Sequence, residues 1–213
     1  MDRSTTFPSE HLDSFIASLA EQHWGRSSAL FSTSLLQGLR EEALTHFAQD
    51  EMDAAGIGKS ADQEQSIRKT YIRWFQEENM GPAEQELWQR LDALRVILNR
   101  TCFLALRSFE CHFAIYPAGG YYRRHLDQFH TDRSRLLSFA LYLNPDWREP
   151  DGGQLRLFIP TKNKEEVVDI PPSLGHFAMF QSAALEHEVL LTHKERVCVI
   201  GWMKTGPINP LSG

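Results

Sequence analysis

The sequence predicts an α+β fold in one unit, with helices from roughly the first hundred residues packed on an antiparallel sheet sandwich or barrel formed by the second hundred. Three observations carry this expectation. Long apolar stripes at helical spacing occur only before about residue 100. From Arg107 onward the apolar residues come in short runs rich in aromatic and branched types, broken by Pro117, Gly119-Gly120, Asn144-Pro145, Gly152-Gly153, Pro171-Pro172 and Gly175. The chain of 213 residues, 42% apolar, is long enough to bury one sizeable core.

In chain order, Leu35, Leu36, Leu39, Ala43, Leu44 and Phe47 fall on one helical face behind Ser32-Thr33-Ser34, a cluster able to supply an N-cap. The segment from Asp53 through Gly56, Gly58 and Lys59 to Gln65 has little apolar content and reads as a mobile loop. It enters a strand at Tyr71, Ile72, Trp74 and Phe75. Pro82 stands at a first helical position, ahead of a stripe of Leu87, Trp88, Leu91, Leu94 and Leu98. The expected organisation is a single domain over 1–213, helical support over 1–100 and the β core over about 101–205.

The net charge of -6 argues against a surface built to bind phosphates, so nucleic acid is not the expected partner. Cys102, Cys111 and Cys198 are odd in number and make no Cys-x-x-Cys pair, which fits a reducing cytoplasm. Met1-Asp2-Arg3-Ser4-Thr5-Thr6 lacks the apolar centre of a signal peptide, and no stretch approaches the length of a spanning helix. No membrane association is expected.

On a strand, residues two apart point the same way, so His125 and Asp127 can face one interior point while Leu126 faces the other side. His187, in Glu186-His187-Glu188-Val189, can supply a third ligand. Two histidines and one carboxylate make the facial triad that leaves iron positions open for other ligands. A His-x-Asp pair alone is weak, because nine histidines generate such pairs by chance. Arg196 adds weight: it leads the strongly apolar strand Arg196-Val197-Cys198-Val199-Ile200-Gly201-Trp202, and its planar fork suits a carboxylate. The alternative is that Arg196 pairs at the rim with Glu186, Glu188 or Glu195.

From about Ile67 to Met203 the chain resembles the prolyl hydroxylases of the oxygen-sensing type, a family of Fe(II)- and 2-oxoglutarate-dependent dioxygenases. The resemblance rests on Tyr116-Pro117, Tyr122-Arg123-Arg124-His125-Leu126-Asp127, Leu141-Tyr142-Leu143-Asn144-Pro145-Asp146-Trp147, Gly152-Gly153-Gln154-Leu155-Arg156-Leu157-Phe158, His187-Glu188-Val189, Arg196 and Trp202. It implies a double-stranded β-helix (jelly-roll, cupin-like) core with N-terminal supporting helices. It also implies Fe(II) held by His125, Asp127 and His187, and 2-oxoglutarate bound by Arg196, Tyr142 and Tyr116. O2 would be the second co-substrate and ascorbate a candidate reductant.

By the same resemblance, Arg135 and Trp202 would lie near the target proline of a protein substrate and Arg68 at the end of the mobile loop that covers the substrate, with Leu155 and Ile200 among the cavity walls. The chain departs from the family at Gln128-Phe129, where Asn-Pro is usual, and at Ile200, where a polar residue is usual. Two other readings remain open from sequence. One is an oxygenase of the same core acting on a free amino acid, a small metabolite, a lysyl side chain or an alkylated nucleobase. The other is a non-catalytic, metal-binding cupin-like module.

Overall fold

The computed structural model describes residues 7–55, 69–128 and 133–206. Three α-helices occur among them: α1 (Ser9–Gln22), α2 (Thr33–Ala48) and α3 (Pro82–Cys102). α2 begins at the cap its sequence announces, with Ser32 Oγ accepting from the Leu35 N–H at 3.3 Å. α3 opens on Pro82, which has no N–H to leave unpaired. Glu84 accepts from the Gly81 N–H at 2.9 Å, and Glu42 of α2 accepts from the N–H groups of Ala83 and Glu84 at 2.9 and 3.0 Å. A carboxylate of one helix therefore caps the next.

Among the described residues, eleven strands form two antiparallel sheets: β1 (Trp24–Ser27), β2 (Asp53–Ala54), β3 (Tyr71–Trp74), β4 (Leu106–Tyr116), β5 (Tyr122–His125), β6 (Arg135–Tyr142), β7 (Leu155–Pro160), β8 (Glu165–Ile170), β9 (Phe177–Gln181), β10 (Glu186–Val189) and β11 (Arg196–Thr205). The larger sheet runs β1-β9-β6-β11-β4-β3-β2 and the smaller β5-β10-β7-β8. The first hundred residues thus give more than helical support, since β1, β2 and β3 extend the larger sheet at both ends. The expected strand near Tyr71 is β3. Most of the loop anticipated before it, from Gly56 to Gln65, lies outside the described residues.

Alternation along the strands decides what each face carries. On β11, Val197, Val199 and Met203 join the core beneath the helices, while Arg196, Ile200 and Trp202 face a cavity on the other side. β4 divides in the same way: Phe109, Cys111, Phe113 and Ile115 lie under the helices, and His112, Ala114 and Tyr116 line the cavity. β6 sends Leu137 and Leu141 to the helices and Ser138, Ala140 and Tyr142 to the cavity. The helical side is sealed by α3, whose Leu87, Leu91, Leu94 and Leu98 are at most 1% exposed. Each fully buried leucine contributes roughly 1.5–3 kcal/mol. The helices thus stiffen the large sheet from behind and leave its other face free to enclose a site against the small sheet, in the manner of a double-stranded β-helix.

Candidate active site

β5 and β10 pair with His187 directly opposite His125, and the two rings lie 4.2 Å apart between centroids. Asp127 differs from the expectation that it shares a strand with His125: β5 ends at His125 and Asp127 follows it. Its carboxylate turns back between the rings, Oδ1 standing 3.4 Å from His125 Nε2 and Oδ2 3.4 Å from His187 Nε2. Leu126, between them, is 39% exposed. One ligand atom from each of the three residues lies within 4.8 Å of the others, a grouping that could hold a metal ion.

The outer ring nitrogens fix which atoms face inward. Nδ1 of His125 lies 2.7 Å from the Arg123 carbonyl, and Nδ1 of His187 lies 3.4 Å from the Leu185 carbonyl. A carbonyl only accepts, so both Nδ1 atoms carry the proton and both Nε2 lone pairs face the carboxylate. His125 Nε2 is buried without a hydrogen-bond partner among the described residues. Burial pushes the His187 imidazole down to about 4, against the pull of Asp127, so the ring is neutral near pH 7 and able to ligate. Burial alone would raise the Asp127 carboxyl, but His187, His125 and the Ser138 hydroxyl outweigh it and hold that group well below the usual range. Two neutral imidazoles and one carboxylate are a donor set suited to Fe(II).

The cavity containing this cluster, about 440 Å³, is also lined by Arg196, Tyr116 and Tyr142. Arg196 is 1% exposed, and no carboxylate among the described residues pairs with it. The rim alternatives are otherwise engaged or remote: Glu186 binds Arg124, Glu188 stands 3.8 Å from Arg156, and Glu195 is exposed. The Arg196 guanidinium instead sits 4.7 Å from the Tyr116 ring centroid and 5.0 Å from that of Tyr142, and donates through Nη1 to Cys198 Sγ at 3.3 Å. Among the described residues its Nε and the Tyr142 hydroxyl are buried without hydrogen-bond partners. Leaving a buried cation unpaired costs several kcal/mol. The arrangement therefore favours an anion with two acceptor oxygens beside Arg196.

Two features seat Arg196. Gly152 and Gly153 both have positive φ, and a Cβ on Gly153 would come within 3.1 Å of Arg196 Cδ. Asn144 ties down the neighbouring residue: its Oδ1 accepts from the Val197 N–H at 2.7 Å, and its Nδ2 donates to the carbonyls of Val197 and Pro172 at 3.0 and 2.7 Å. Asn144→Ala is expected to lower stability by about 2–3 kcal/mol, because buried backbone groups lose their partners. Urea unfolding checks this, and a loss below about 0.5 kcal/mol would contradict the bracing role.

At another part of the cavity wall, Arg135 lies over Trp202, with its guanidinium carbon 3.6 Å from the indole centroid. Glu110 accepts from Arg135 Nε and Nη2 at 3.0 and 2.8 Å and from Lys204 at 3.1 Å. Arg135 is thus a paired and stacked group, unlike an ordinary solvated charge. Trp74 and His112 join Trp202 in an aromatic cluster, with centroid distances of 4.7 Å from Trp74 to His112 and 5.6 Å from His112 to Trp202. Leu155 and Ile200 line the cavity as expected. Arg68 and Phe129 lie outside the described residues. Gln128 donates to the carbonyls of Arg133 and Arg135 at 3.1 and 2.9 Å, which ties it to the start of β6.

The sequence reading did not single out Tyr122, which stacks on His125, Phe180, which meets His187 edge-on, or Ser138. A serine within the otherwise apolar run of β6 was the available signal for the last.

The sequence model of the 2OG-Fe(II) oxygenase superfamily matches residues 111–204. A prolyl-4-hydroxylase from Pseudomonas putida is 34% identical, covering 92% of this chain and 99% of that one, with a TM-score of 0.82. The chain belongs to the 2OG-Fe(II) oxygenases. A prolyl hydroxylase from Trichoplax adhaerens, solved with a peptide fragment of the hypoxia inducible factor oxygen degradation domain, has the same fold at 24% identity. It covers 95% of this chain and 92% of that one, with a TM-score of 0.82. A prolyl 4-hydroxylase from Phytophthora capsici shares the fold at 19% identity, 96% and 68% coverage and a TM-score of 0.73. This oxygenase is therefore an oxidoreductase using Fe(II), 2-oxoglutarate and O2. No helix among its described residues is long and apolar enough to cross a membrane.

Proposed function

We propose that this oxygenase hydroxylates a proline within a protein substrate, with His125, Asp127 and His187 holding Fe(II) and Arg196, Tyr142 and Tyr116 receiving 2-oxoglutarate. The observation that carries the co-substrate assignment is the buried Arg196 without a carboxylate partner among the described residues, in the same cavity as the His-Asp-His cluster. Of the ligands a 2OG-Fe(II) oxygenase takes, the keto diacid has a second carboxylate free to meet a guanidinium after its other end has met the metal. The similarity over nearly the whole length of the P. putida prolyl-4-hydroxylase supports proline as the target.

Bound iron and 2-oxoglutarate would supply the oxidising power: the keto acid is decarboxylated to succinate and CO2 as one oxygen atom enters the substrate. The chain's own residues do the rest. The carbonyls of Arg123 and Leu185 hold the protons on the outer nitrogens of the two histidines, and Asp127 stays ionised between them. Tyr142 presents its hydroxyl beside Arg196, where burial keeps the phenol protonated and so able to donate. Phe180, Leu155 and Ile200 give the cavity an apolar lining suited to keeping water from the reacting atoms once substrate is seated. Arg135, held over Trp202 by Glu110, offers a wall against which a substrate ring can rest, and Arg68 is a further candidate contact. All three cysteines are free, which suits a reducing, cytoplasmic setting, and the proposal includes ascorbate as reductant and the chain as one catalytic unit.

The test is incubation with Fe(II), 2-oxoglutarate, air and a panel of proline-containing peptides. Succinate release is followed together with peptide mass, and an alanine replacement of each proline serves as the control. Gain of one oxygen atom that disappears with the alanine control is the expected result. Succinate released fastest with free amino acids or small metabolites, and no modified peptide, would sink the prolyl reading while keeping the oxygenase.

A further inference from the structure

β5 and β10 are not in simple register. His187 faces His125 and Val189 faces Tyr122, so Arg123 and Arg124 together stand opposite Glu188 and β5 carries a bulge. Residues three apart on a regular strand face opposite sides. The bulge cancels that rule, and both Tyr122 and His125 reach the cavity. Their rings stack at 3.7 Å between centroids with only 22° between planes. The Arg123 carbonyl, inside the bulge, accepts the His125 Nδ1 proton at 2.7 Å.

The two histidines need different support. The His187 side chain is 7% exposed, with Phe180 edge-on at 4.7 Å. The His125 side chain is 17% exposed on a strand of four residues at the edge of the small sheet. Rotation about χ2 of histidine has a broad, shallow preference, so a ring with open surroundings does not hold its plane unaided. A flat neighbour on one side and a fixed acceptor at Nδ1 restrict both the tilt and the tautomer.

We propose that the β5 bulge is a holder for the more exposed histidine: Tyr122 is a positioning residue that sets the plane of His125 by stacking, while the Arg123 carbonyl sets its tautomer. The inference rests on the proposed metal role of His125, and its test separates the two. Outward-facing Arg124 belongs to the same device, because its ion pairs with Glu165 and Glu186 tie the bulged strand to β8 and β10.

Metal-free protein is titrated with Co(II) by calorimetry and by the visible d–d band, alongside thermal unfolding of each metal-free form. Tyr122→Leu is expected to bind Co(II) about 10–100-fold more weakly with an altered band, as partners that orient a ligand typically do. Its metal-free melting temperature should stay at the wild-type value. Tyr122→Phe, which keeps the ring, should restore wild-type affinity and band.

His125→Ala binding Co(II) as tightly as wild type would overturn the metal site itself. Loss of Co(II) in His125→Ala with wild-type affinity and band in Tyr122→Leu would overturn the positioning role alone. Equal weakening in Tyr122→Phe and Tyr122→Leu would also overturn it, by assigning the effect to the hydroxyl. So would weakening in Tyr122→Leu that tracks a lowered melting temperature of its metal-free form.

Discussion

Arg196→Met is expected to weaken 2-oxoglutarate binding severely while leaving metal binding near wild type and the co-substrate-free protein at least as stable. The co-substrate loses its charged partner inside a low-dielectric cavity, a change that costs about 2–5 kcal/mol, or roughly 30-fold to several thousandfold in affinity. Stability moves the other way because the wild-type protein buries a guanidinium with no carboxylate partner and an unpaired Nε among the described residues. Methionine fills similar volume among Tyr116, Tyr142 and Cys198 without carrying a charge. Calorimetric titration of 2-oxoglutarate into Mn(II)-loaded protein, metal content and thermal unfolding measure the three quantities. A variant that lost metal yet bound 2-oxoglutarate normally would refute the role of Arg196. A variant that melted well below wild type would show instead that Arg196 is structural.

Asp127→Ala should be the most damaging single change at the metal cluster. The carboxylate is the sole anion in the proposed donor set and lies 3.4 Å from the Nε2 atoms of both histidines. Its removal leaves two rings with no anion between them, and His187, already held neutral by burial, loses the one neighbour whose charge favours its protonated form. Metal affinity should fall by more than the roughly 10–100-fold that a supporting partner costs, and activity should vanish with it. Metal content after dialysis and Co(II) titration provide the check. Retained stoichiometric metal in Asp127→Ala would remove Asp127 from the ligand set. The Arg196 and Asp127 variants are thus expected to fail at different steps, one keeping its metal and losing its keto acid, the other losing both.

How much of this was legible in advance depended on whether a residue's role was local. Ser32 and Pro82 mark helix starts through their own backbone chemistry, and the helices begin where they stand. His125, Asp127, His187 and Arg196 could be picked out because their side chains have few inexpensive uses in an apolar setting. α1 was missed although its Leu12, Phe15, Ile16 and Leu19 follow helical spacing, because Pro8 supplies no side-chain cap to mark its start. The strand β1 has only Trp24–Ser27 to announce it and exists through pairing with β9. The roles of Tyr122, Phe180 and Ser138 were hidden for a related reason. Their importance comes from which strand lies opposite and in what register, and no local run of letters records the bulge that turns Tyr122 onto His125.

The alternation along β11 also bears on how such a chain can change over generations. Ile200 and Trp202 shape the cavity, whereas Val197, Val199 and Met203 belong to the core under the helices. Point replacements at 200 and 202 can therefore alter what the cavity admits while the hydrophobic foundation stays the same, and selectivity can drift cheaply along one edge of the strand. Insertion or deletion of a single residue inside β11 has no such freedom. It would turn valines toward the cavity and drive Arg196 toward the leucines of α3, so ancestry in this segment should be recorded as substitutions and almost never as changes of length.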